Sequence, residues 1–170
     1  MQTTTAKLYS LEYSRAATYL AAGFFVLGNL ALPQLCHLVR LGGPTWLPLY
    51  FFTLVGAYKF GWRVGLLTAV VSPLLHSALF GMPLVEALPA ILVKSVLLAL
   101  VAGWIATRFR RATLPLLAAT VFVSQLLGTL GSWALSGDLP GALQELRIGI
   151  PGLLFHIFGG WAFIRFFLRR

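Results

Sequence analysis

Apolar residues run in long blocks along this chain, and short clusters of charge or of Gly and Pro separate them. A helix that crosses a bilayer needs about 20 apolar residues. On that measure six blocks stand out: Ala16 to Leu38, Thr45 to Phe60, Trp62 to Phe80, Val85 to Thr107, Thr113 to Leu135 and Ile148 to Leu168. The tight turn KFGWR joins the second to the third. The pattern predicts an all-α polytopic membrane protein, a single domain of six transmembrane helices over residues 1–170.

Composition agrees. The chain is 59% hydrophobic and 10% charged, with a mean hydropathy of +0.88, too little polar surface to cover a soluble core. A formal net charge of +9 would suit nucleic acid, but the basic residues are dispersed between apolar blocks, so no nucleic-acid partner is expected. They read as topology signals. Lys7, Arg15, Lys59, Arg63, Arg108, Arg110, Arg111, Arg165, Arg169 and Arg170 fall on one side, ten of the thirteen. Arg40, Arg147, Glu86, Asp138 and Glu145 fall on the other. The positive-inside rule then predicts cytoplasmic termini and a multi-pass protein of the bacterial cytoplasmic (inner) membrane. The polar opening MQTTTAKLYSLEYSR is not expected to act as a cleavable signal. A single cysteine excludes an internal disulfide and any CxxC metal site.

Most uncharged polar residues and histidines then gather in the outer half. Cys36 and His37 end the first span, and Thr45, Trp46 and Tyr50 begin the second. His76 is near the outer end of the third, Gln125 is in the fifth, and His156 lies roughly 12 Å into the sixth. Lys94 lies roughly 9 Å below the outer face, where a lysine must snorkel, pair or face a wet cavity. It can reach the outer headgroups, bind an anionic group, or pair with Glu86, eight residues earlier near the same helical face, through an intervening group. A channel would need polar lining through its full depth. This distribution predicts instead a cup open to the outside, with Cys36, His37, Trp46, Tyr50, His76, Lys94, Gln125 and His156 as candidate substrate-binding residues.

Each has a plainer reading. Cys36 can be a small hydrophobe, the histidines can bond between helices, and Trp46, Tyr50 and Trp133 can be belt residues. Pro73, Pro89 and Pro151 either shape the cup or kink helices. The segment SGDLPGALQELR reads as an outer lid or as a connector into the last helix. Ala17 and Ala21 make a small-xxx-small spacing, for packing within the monomer or for docking a partner.

Six spans, an alanine-rich first helix and an outward cup together resemble the substrate-binding S components of energy-coupling factor vitamin transporters. The run GPTWLPLYFFTLVGAYKFGWRVGLLTAVVSPLLHSALFGMP is similar to that family's second and third spans. The resemblance implies capture of a vitamin or related micronutrient, docking through Ala17 and Ala21 onto a membrane coupling subunit, and ATP hydrolysis by partner ATPases. The chain has no P-loop and is expected to carry no cofactor of its own. One subgroup of the family binds cobalamin through a cysteine thiolate on cobalt. Cys36 matches that role by residue type and location, so cobalamin is the leading substrate expectation. The rivals are a small membrane scaffold or assembly protein and, further off, an intramembrane metal-dependent enzyme using Ser72, Ser77, His76 or His156. No GxSxG motif or acidic zinc-ligand set supports an enzyme.

Overall fold

The computed structural model describes residues 8, 10–37 and 48–167, with the side chains of Cys36, His37 and Phe167 excepted. The described residues contain helices and turns and no strand. Seven α-helices follow in order: α1 Ala16–His37, α2 Phe51–Phe60, α3 Trp62–Phe80, α4 Leu88–Phe109, α5 Leu114–Ser136, α6 Leu139–Ile148 and α7 Ile150–Ala162. Short 3-10 turns lead into α2 (Pro48–Tyr50) and α4 (Val85–Ala87), and a π-helical segment, Phe163–Phe167, extends α7.

Among the described residues four helices are long and apolar enough to cross a membrane: α1, α3, α4 with its lead-in turn, and α5. The α6–α7 pair makes a fifth if the two, bent by 49°, are one span. The expected second span has a different character. Of its residues the structure describes a turn and a helix of 10 residues, roughly 15 Å long against a hydrocarbon core of roughly 30 Å. The sequence FFTLVGAYKF is apolar nearly all round, and every residue of it except Phe52 and Phe60 is buried. A helix apolar on all faces belongs in a core. Here α2 is the axis around which α1, α3, α4 and α7 pack.

The predicted turn between α2 and α3 is present, with Gly61 at φ 100°, a conformation that disfavours a side chain. Pro73 is buried inside α3. Pro89 and Pro151 instead occupy the first turns of α4 and α7, where the missing N–H costs nothing, so neither interrupts its helix.

Polar contacts knit the buried centre. Asn29 on α1 is fully buried; its Nδ2 donates to Thr53 Oγ1 on α2 and to Ser72 Oγ on α3, each at 3.1 Å. Its Oδ1 accepts the backbone N–H of Phe52 at 3.1 Å. That N–H belongs to the first turn of α2, where no intrahelical acceptor exists, so α1 caps α2 across the interface.

Further contacts define one end of the bundle. The Leu11 N–H donates to the Phe60 carbonyl, and the Tyr58 hydroxyl donates to the Arg111 carbonyl at 2.7 Å. Arg63 lies over the rings of Tyr13 and Trp62. These contacts bring the segments carrying Arg15, Lys59, Arg63 and Arg108 to Arg111 to one basic end. Glu86, Asp138 and Glu145 lie together at the other.

Candidate small-molecule site

At the acidic end the bundle divides into an inner cavity and an outer groove. Four residues singled out from sequence converge on the cavity: Tyr50 from the lead-in to α2, Lys94 from α4, Gln125 from α5 and His156 from α7. Leu98, Val121, Ser124 and Leu153 complete its wall. It has room for about one water molecule. Lys94 can lie along α5 because position 128 is glycine; a Cβ there would fall 2.9 Å from the Lys94 Cγ.

Lys94 has its counter-ion, and it is not Glu86. Its Nζ donates to Glu145 Oε2 on α6. The ion pair lies where the cavity meets the groove, since Lys94 lines one and Glu145 the other. The helix that supplies Glu145 begins after Gly137, whose φ of 69° ends α5. Asp138 then caps it, its Oδ1 accepting the Gly141 N–H at 3.0 Å. The segment expected to be a lid or a connector is therefore a distinct helix, folded over the bundle and tied to α4.

The groove beneath α6 encloses about 650 Å³, within the range of small-molecule pockets. Glu86, Asp138 and Glu145 supply three carboxylates, and Ser132, Ser136 and Gln144 add neutral polar groups. Pro89, Leu135 and Ile148 form part of an apolar wall.

Five buried side-chain atoms lack a hydrogen-bond partner among the described residues: His76 Nε2, Ser95 Oγ, Thr129 Oγ1, Ser132 Oγ and His156 Nε2. All five belong to the half of the bundle nearer the acidic end. In the other half Thr68 and Thr120 donate to carbonyls of their own helices, Val64 and Leu116, and Thr18 and Tyr58 to the carbonyls of Glu12 and Arg111. His156 Nδ1 donates to the Gly152 carbonyl, which in a neutral ring leaves Nε2 as a buried acceptor without a partner among the described residues.

The remaining sequence candidates are distributed otherwise. His76 does not line this cavity; its Nδ1 donates to the Met82 carbonyl, beyond the end of α3. Ser72 is a buried partner of Asn29, and Ser77 donates to the Pro83 carbonyl. Trp133 is exposed on the surface of α5, as a belt residue would be. Trp46 lies outside the described residues, as do the side chains of Cys36 and His37. Ala17 is exposed on α1 and Ala21 half-buried against the core.

Sequence reasoning passed over Asn29, Ser132 and the role of Glu145. Asn29 is the chain's only asparagine and stands mid-way along an apolar span, a signal in itself. Ser124, Gly128 and Ser132 recur at four-residue spacing on the buried face of α5, also visible in the chain. Among the described residues no group of three His, Cys, Asp or Glu side chains is placed to hold a metal ion. No protein-family model, curated protein or solved structure matches this chain.

Proposed function

We propose that the protein is a membrane-embedded capture subunit that takes a small molecule from the acidic side of the bilayer. One observation carries the reading: the half of the bundle that keeps buried polar atoms without a partner among the described residues also holds a cavity to which Tyr50, Lys94, Gln125 and His156 come from four separate elements. Unpaired buried polar groups are costly, and a bound molecule or ordered water is the usual reason for keeping them. In this reading the basic end faces the cytoplasm, the α2 segment and the α6–α7 pair complete six crossings, and both termini are cytoplasmic. The exposed face of α1 at Ala17 would dock a coupling subunit, with partner ATPases supplying the energy. The cargo is a vitamin or related micronutrient. Cobalamin makes a specific demand, a Cys36 thiolate on its cobalt, and a corrinoid would also need α6 displaced, since it is larger than the groove.

The test is to purify the protein in detergent from cells grown in rich medium, then record its absorbance and identify what co-purifies by native mass spectrometry. A bound micronutrient is expected. A corrinoid spectrum lost in Cys36→Ser would select cobalamin. An empty protein that binds nothing from a micronutrient panel would sink the capture reading and leave a scaffold.

A further inference from the structure

Of the described charged residues at the acidic end, Lys94 is the most sheltered. Its side chain is 16% exposed and lines the inner cavity, whereas Glu86, Asp138 and Glu145 are exposed residues of the groove. Water screens those carboxylates and screens Lys94 least, so the ammonium decides what the junction of the two spaces will hold. In the structure it holds a carboxylate, supplied by Glu145 from a helix lying over the bundle. Tyr50 is within electrostatic reach of the same group. Glu145 thus stands at the mouth of the cavity, whose walls carry three donors: the Lys94 ammonium, the Tyr50 hydroxyl and the Gln125 amide.

The helix that carries Glu145 is lightly held. Only Ala142 of the ten residues of α6 is buried. The helix lies between two glycines: Gly137, in the left-handed conformation at φ 69°, and Gly149, where the chain bends by 49° into α7. Among the described residues the Lys94 pair is its one ion pair or side-chain hydrogen bond to another helix. With the Glu145 side chain more than half exposed, that pair is a weak tie, and a competing carboxylate could take it over at little cost. Its release would open the cavity, with room now for about one water, into the groove of about 650 Å³.

We infer that Glu145 is a built-in stand-in for the cargo: the carboxylate of an organic acid replaces it on Lys94, and the exchange frees α6 to swing from the cavity mouth as a lid. The inference rests on the capture reading above and specifies the class of its cargo. Lys94, Tyr50 and Gln125 hold the carboxylate, the body of the acid lies in the groove, and α6 closes the site whenever it is empty.

The test uses three probes of similar shape, benzoate, benzamide and benzylammonium, titrated calorimetrically into the full-length protein in detergent. Benzoate is expected to bind, with the neutral amide and the cation weaker by about tenfold or more. Lys94→Met should weaken benzoate about tenfold. Glu145→Gln should do the opposite and tighten it about fivefold, because the competitor for Lys94 is gone. A purely structural ion pair would give no such gain. Backbone hydrogen exchange in α6 should rise when benzoate is added, and should already be raised in Glu145→Gln without it. Benzamide or benzylammonium binding as tightly as benzoate overturns the inference, and so does a benzoate affinity that Lys94→Met leaves unchanged or that Glu145→Gln fails to raise. Exchange in α6 that ignores benzoate overturns it too, as does no binding by any probe. The capture reading is judged separately by what co-purifies, so a cargo without a carboxylate, a corrinoid included, would keep capture and discard the stand-in.

Discussion

The two ends of the bundle are built from the same helices and treat their polar groups in opposite ways. Toward the basic end, Tyr58 reaches the Arg111 carbonyl, Leu11 bonds to Phe60, and Thr68 and Thr120 are satisfied within their helices. Toward the acidic end, five buried atoms have no partner among the described residues and two adjoining spaces remain between the helices. Packing alone would have filled those spaces, because apolar substitution of an unpaired buried hydroxyl is nearly neutral or stabilising. The contrast separates a half of the molecule made for cohesion from a half whose polar groups are held ready for something else.

Substitutions can break or sharpen that contrast, with stability read from SDS-induced unfolding in mixed micelles. The largest effect is expected from Asn29→Leu, which strands Thr53, Ser72 and the Phe52 N–H; it should cost about 2–4 kcal/mol. Gly128→Val should cost about 1–3 kcal/mol, because its side chain would press on Lys94 and wedge α4 from α5. Tyr58→Phe removes one bond at the basic end and should cost about 1 kcal/mol. Glu145→Gln should cost about 1 kcal/mol, since the carboxylate is more than half exposed but its loss leaves the Lys94 ammonium, 16% exposed, without a counter-ion. Ser132→Ala is expected to be neutral or slightly stabilising, since its buried hydroxyl has no partner among the described residues. A cost for Ser132→Ala comparable to that of Tyr58→Phe would erase the distinction between the ends.

Features governed by local chemistry were legible in the chain. Long apolar blocks marked most helices, the KFGWR turn marked the α2–α3 junction, and the charge pattern marked the two ends. Tyr50, Lys94, Gln125 and His156 were legible only within a wider outer-half set that also held Cys36, His37, Trp46 and His76; which four line one cavity depends on tertiary packing. What could not be read was set by tertiary contact. Helical periodicity nominated Glu86 as a partner of Lys94, but the carboxylate came from Glu145, 51 residues further on. It arrives there because Asp138 starts a new helix and because the chain bends by 49° between α6 and α7. The shortness of α2 was hidden for a related reason: apolar composition is the same whether a helix is wrapped by lipid or by other helices.

The Asn29 network also bears on how the chain enters the bilayer. During synthesis α1 emerges before the partners of its amide, Thr53 and Ser72, which follow 24 and 43 residues later. Released alone into lipid, that amide would find no other group to bond. Helices α1, α2 and α3 are thus expected to leave the insertion machinery as one unit, with α1 waiting at its lateral exit until α3 has been made.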